Sequence, residues 1–160
     1  MAFYRFTESI NAFFSNTIIL SALTAWFLAQ LVKGIISLLN SGNRSLREVL
    51  EAIFWRTGGM PSSHASIVSS MATAVAFAEG VDSNLFAVTL FIALVIMRDA
   101  MGVRRSSGLQ ARALNILGKQ IADHQETEFS PLKEIRGHHP LEVIVGALMG
   151  IFIACAFALL

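Results

Sequence analysis

Apolar positions run almost unbroken over Ile18–Leu39, Leu85–Val103 and Leu141–Leu160. Each stretch is close to the roughly 20 residues a helix needs to cross the hydrocarbon core of a bilayer. A shorter run, Pro61–Ala78, is rich in Ser, Ala and Thr; small residues of that kind suit close helix–helix contact rather than lipid. The segments between these runs have a different period. Met1–Ser15 places Phe3, Tyr4, Phe6, Ile10, Phe13 and Phe14 among polar residues, the pattern of a short interfacial helix with aromatic anchors. Within the 41–60 loop, Leu46, Val49, Leu50, Ile53 and Phe54 share a helical face, with Ser45 as cap and Glu48 three residues on. In the 104–137 segment, Leu109, Ala113, Ile116, Leu117 and Ile121 fall on one side, which predicts an amphipathic helix on the membrane surface. The expected fold is all-α: an integral membrane helical bundle of about four spans plus interfacial amphipathic helices, as one domain over residues 1–160.

Composition agrees with that reading. The chain is 54% hydrophobic and only 14% charged, against about a quarter charged in soluble domains. A net charge of +1 supplies no field for nucleic acid, and no nucleic-acid partner is expected. Cys155 is the single cysteine, so no intrachain disulfide can form. Arg5 followed by Ile18–Leu31 has the outline of a signal peptide, but the apolar pattern continues to Leu39, past any plausible cleavage site.

Charge also sets an orientation. Four spans alternate in direction, so the 41–60 and 104–137 segments share one membrane face. Eleven of the twelve Lys and Arg residues lie on it, and only Arg5 lies opposite. Eight of the eleven acids share that face too, but the positive-inside rule counts Lys and Arg, and it puts this face in the cytoplasm.

The same alternation gathers the polar clusters. Lys33 is near the end of the first span and "GGMPSSH" opens the second; "RDAMGVRR" closes the third and "RGHHPLE" opens the fourth. Ionisable groups at membrane depth are a functional hypothesis by default, and a shared depth makes them one site. Pro61 suits a first helical position. Ser62, Ser63 and the unpaired amides of that turn then form an anion site at the positive end of the helix dipole, with His64 in the same turn. His138 and Glu142 are four residues apart, a spacing that brings side chains together on a helix. A carboxylate beside an imidazole fixes its tautomer and raises its basicity. The competing account is structural: with His139 as cap, Glu142 occupies the capping-box position. Arg104 and Arg105 offer forks that bind phosphate bidentately, although paired arginines at a membrane surface also hold lipid headgroups. Asp99 can pair with one of them or with Lys33. Histidines, a helix N-terminus and several cations are the groups phosphoryl transfer needs. Zinc is the weaker fit, since no HxxxH or CxxC spacing occurs; neither a metal nor a cofactor is expected.

Three segments in this order, "GGMPSSHAS", "RDAMGVRRSSGLQARALN" and "GHHPLEVIVGALMG", resemble the divergent branch of the type 2 phosphatidic acid phosphatase superfamily, related to acid phosphatases and vanadium-dependent haloperoxidases. "PSSH" resembles the superfamily's Pro-Ser-Gly-His motif, with Ser63 in place of Gly. "HHPLE" resembles the end of the third motif, with His138 at the nucleophile's place and Glu142 at that of the Asp. Lys33 resembles the start of the first motif, but Asn40 and Leu132 stand where two phosphate-binding arginines are expected. Arg56, Arg104, Arg105 or Arg136 are the candidate substitutes. The resemblance implies metal-independent hydrolysis of a lipid phosphate or diphosphate, either phosphatidate-like or polyprenyl, with the lipid tail entering from the bilayer. His138 would attack phosphorus, Glu142 would orient it and His64 would protonate the leaving alkoxide. Lys33, Ser62, Ser63 and an arginine would hold the phosphoryl oxygens. The alternative is a non-catalytic protein that binds lipid phosphate, or a membrane scaffold with a degenerate site. A homo-oligomer is compatible with either.

Overall fold

The computed structural model describes residues 2–39, 59–134 and 137–160. They form six helices: α1 (Ala2–Phe14), α2 (Thr17–Leu39), α3 (Ser63–Glu79), α4 (Asn84–Met101), α5 (Val103–Gln125) and α6 (Pro140–Leu159). The helix expected around residues 46–54, its cap Ser45, and Arg56 and Arg136 lie outside the described residues. No strand occurs among the described residues, and the chain is an all-α membrane protein.

α3 is the centre of the bundle, with α2, α4 and α6 packed around it. Its composition explains why. Ser66, Ser69, Ser70, Ala72, Ala74 and Val75 are all buried, and their short side chains let neighbouring backbones come close. α2 answers with Ser21, Ala22, Ala25 and Ala29, and α6 with Val143, Gly146, Gly150 and Ala154. Gly146, Gly150 and Ala154 repeat every four residues along one face, the small-xxx-small pattern of membrane helix pairs. A side chain at Gly146 would run into the Ser62 carbonyl, and one at Gly150 into Ser66 and Ser69. Hydroxyls fasten the contacts: Ser66 Oγ donates to the Ala25 carbonyl at 3.1 Å, and Ser69 Oγ to the Ala147 carbonyl at 2.9 Å.

Large apolar side chains take the outside. Phe91 is 67% exposed and Phe152 71%, whereas Ala25 and Ala154 are fully buried. A water-soluble bundle would reverse this arrangement; a lipid-facing surface requires it.

Among the described residues, three helical segments are long and apolar enough to cross a bilayer: Thr17–Leu39, the α4–α5 stretch Asn84–Gln125, and Pro140–Leu159. The expected second span is the 17-residue α3, whose serines are turned inward and shielded by its neighbours. The boundaries also differ from expectation. Ser62, with extended backbone, caps α3, and the helix starts at Ser63 rather than Pro61. The third apolar run ends at Met101, where Gly102 separates α4 from α5.

Candidate functional site

The end of α2, the start of α3, the elbow between α4 and α5, and the start of α6 meet at one end of the bundle. Two backbone hydrogen bonds tie them: the Ser62 amide donates to the Glu142 carbonyl at 2.9 Å, and the His138 amide to the Ala100 carbonyl at 3.1 Å. Gly137 lies against the Arg105 backbone, where a side chain would collide. The segment carrying His138 is thereby seated on the α4–α5 elbow.

His138 is buried, and its Nδ1 is 2.9 Å from Oε2 of Glu142. It precedes the N-cap of α6, yet the four-residue spacing still closes. The same Oε2 accepts the His139 amide at 3.1 Å. Glu142 therefore fills the capping position and holds His138 at once, and the two sequence accounts describe one carboxylate. With Nδ1–H donated to Glu142, the tautomer assigned by this hydrogen bond leaves the Nε2 lone pair available.

His64 is exposed at the first turn of α3. The ionised side chains whose fields reach its imidazole are Arg104, Lys33 and Asp99, and the His138 ring is close enough to act on it too, one group from each neighbouring element of the site. Most of that field is positive, which suits an anion. Lys33 is buried one and a half turns before the end of α2; its Nζ donates to Gln30 Oε1 at 3.2 Å, and Glu142 acts on it electrostatically. Its stem passes beneath Gly59, which holds a φ of +95° that a residue with a side chain rarely adopts. Nε of Arg104 is 3.3 Å from Oδ2 of Asp99, and both side chains are 43% exposed.

Not every expected ligand is free to act as one. Ser62 is fully buried, its Oγ accepts the Ala65 amide at 3.4 Å, and its own amide is committed to Glu142. Ser62 builds the turn. Ser63 is buried beside it. The amides of Ser63 and His64, in the first turn, have no intrahelical acceptor by helix geometry. Leu132, where the resemblance expects an arginine, is drawn to α5: its amide donates to Asn115 Oδ1 at 2.7 Å and its carbonyl accepts from Asn115 Nδ2 at 2.9 Å. Gln30 is the group that sequence reasoning missed. One turn before Lys33 on an apolar helix, it offers a signal only once Lys33 is known to point inward.

The sequence profile of the Divergent PAP2 family matches residues 14–153. The chain belongs to this family. The match takes in α2 through most of α6 and every residue of the cluster. An "Uncharacterized membrane protein YuiD" from Bacillus subtilis (strain 168) is 38% identical over 155 residues, which cover 90% of this chain and 95% of the relative. No solved structure matches. Membership agrees with the resemblance drawn from "GGMPSSHAS" and "GHHPLEV", and the departures at Asn40 and Leu132 stand as features of this family member.

Proposed function

We propose that this family member hydrolyses a lipid phosphate or diphosphate, phosphatidate-like or polyprenyl, through a phosphohistidine on His138 at a cytoplasmic membrane surface. The observation that carries the reading is the 2.9 Å His138–Glu142 contact within a cluster that also holds Lys33, Arg104 with its partner Asp99, and a second imidazole. Nε2 of His138 forms a bond to the terminal phosphorus while the P–O bond to the lipid alcohol breaks or, in a diphosphate, the P–O bond to the inner phosphate. His64 gives its proton to the departing alkoxide, the step for which a general acid is needed. Water, giving a proton to the now neutral His64, then attacks phosphorus; the P–Nε2 bond breaks, phosphate leaves, and free His138 and protonated His64 are restored. Lys33, Arg104 and the Ser63 and His64 amides balance the charge on the equatorial oxygens.

A binding-only role is the second reading, favoured by one observation. Leu132 occupies an expected arginine position and is held by Asn115, so that position supplies no cation. Release of phosphate from phosphatidate and polyprenyl phosphates by purified protein, with acid-quench trapping of labelled phosphoprotein, separates the readings. The enzyme releases phosphate and forms an adduct that His138→Ala abolishes. Lipid-phosphate binding with neither release nor adduct establishes the second reading.

A further inference from the structure

α5 carries its apolar residues on the side the protein leaves bare. Leu109, Ile116, Leu117 and Ile121 are between 48% and 60% exposed. Residues 127–134 fold back along the other side of the helix, where Asn115 holds Leu132 and the Phe129 ring lies over Gly118. Ala122, on that covered side, is the buried residue of α5. The chain has thus shielded the small and polar side of the helix and exposed the apolar one, the same inversion that marks the lipid-facing surface of the bundle.

Charge distinguishes what covers the bare side. Arg105, Arg112 and Lys119 recur every seven residues, so they form one row along the helix with little angular drift, and that row borders the apolar side at Ile116. Asp123 is the only carboxylate on α5. The apolar surface is also continuous with that of α4. Val95 and Val103 wall a groove of about 640 Å³ at the elbow, whose polar lining is Arg98, Asp99, Ser106, Ser107 and Gln110, with Asp99 paired to Arg104. α5 begins two residues after the last turn of a helix apolar enough to cross the bilayer, which places its start at headgroup depth.

We propose that α5 lies along the bilayer surface, with Leu109, Ile116, Leu117 and Ile121 at the acyl boundary and the Arg105–Arg112–Lys119 row on the headgroups of anionic phospholipids. An apolar face flanked by basic residues is the arrangement of surface-bound amphipathic helices. The proposal is independent of whether the protein is an enzyme. The full chain, with Cys155→Ala, carries an environment-sensitive fluorophore on Leu117→Cys, or on Leu109→Cys should the first variant fold poorly. It is placed, one copy per nanodisc, in phosphatidylcholine–phosphatidylglycerol bilayers with a nitroxide on the acyl chain of one lipid or the other. Both nitroxides are expected to quench the probe, and the phosphatidylglycerol nitroxide should show about fivefold higher local association. Arg112→Gln with Lys119→Gln should remove that preference while leaving quenching itself. A probe on Ser130→Cys, in the strap covering the other side, should be quenched far less. The proposal is overturned by a Leu117 probe that neither lipid quenches, or by equal quenching from the two lipids with the basic row intact. It is also overturned if placing two copies in one disc shields the probe, because the apolar side is then an interface between copies.

Discussion

Glu142 shows how one side chain can satisfy two sets of rules. Its Oε2 takes the His139 amide as a capping residue does and Nδ1 of His138 as a catalytic orienter does. Glu142→Gln keeps an oxygen for one partner at the expense of charge on both. It should reduce turnover of a lipid phosphate without unfolding α6, since the cap itself contributes about 1 kcal/mol. The two histidines should fail differently. His138→Ala removes the attacking nitrogen, whereas His64→Ala leaves attack intact but strands an alkoxide without its proton. An aryl phosphate, whose leaving group needs no proton, should recover much of the hundredfold to ten-thousandfold that a general acid typically contributes, roughly stated, in His64→Ala and none in His138→Ala. Full activity of folded His138→Ala, or loss confined to His139→Ala, would move the nucleophile. Among the arginines, Arg104 is the one that acts on His64 and meets Asp99, while Arg105 is exposed with its backbone against Gly137. Arg104→Lys should therefore weaken lipid-phosphate binding several-fold, because an ammonium cannot form the bidentate fork, and Arg105→Lys should not. Equal affinities for wild type and Arg104→Lys would remove Arg104 as the substitute cation.

Helices were legible where apolar residues were abundant and ambiguous where they were not. α2, α4 and α6 follow from long runs of large side chains that face outward, so their sequences record the lipid directly. α3 leaves no such record: its environment is other helices, and Ser66, Ser69 and Ala72 read as polar or neutral until α2 and α6 are placed around them. Its start differs from the expected one for a related reason. Pro61 fits a first helical position by its missing amide hydrogen, but the Ser62 hydroxyl caps the Ala65 amide and wins the boundary. The site was legible as a set of clusters because alternation alone brings them to one face; Gln30 and the commitment of Ser62 to the turn needed tertiary contacts. The α3–α6 seam gives the test at this scale. Gly150→Val forces a side chain into Ser66 and Ser69, and overpacking of this kind typically costs about 1–3 kcal/mol. Tm in detergent should fall by several degrees. Leu148→Val, on the exposed side of the same helix, should shift it little. Similar losses for both would mean that the seam does not limit stability.

Across the whole molecule, the asymmetry of charge and the location of the cluster make one statement. By the alternation of four spans, eleven of the twelve basic residues belong to the sequence segments on the side of His64, His138 and Glu142, and only Arg5 belongs to the other. If the positive-inside rule governs this chain, the cluster opens to the cytoplasm, and any lipid phosphate it meets belongs to the inner leaflet. The short α3–α4 connection, with Val81 72% exposed, then faces out, and the far end of α5, with Gln125 exposed, faces in. Single cysteines at these two positions, in Cys155→Ala, sample opposite sides without disturbing the Ser83 cap of α4. An impermeant maleimide added to intact cells should label Val81→Cys and spare Gln125→Cys until the membrane is opened. The reverse pattern would turn the molecule over and assign its substrate to the outer leaflet, leaving the cluster geometry untouched. Labelling of both from outside would break the alternation itself: α4, which separates the two positions, would no longer carry the chain across the bilayer, and His64 at the start of α3 and His138 before α6 would be left on opposite faces.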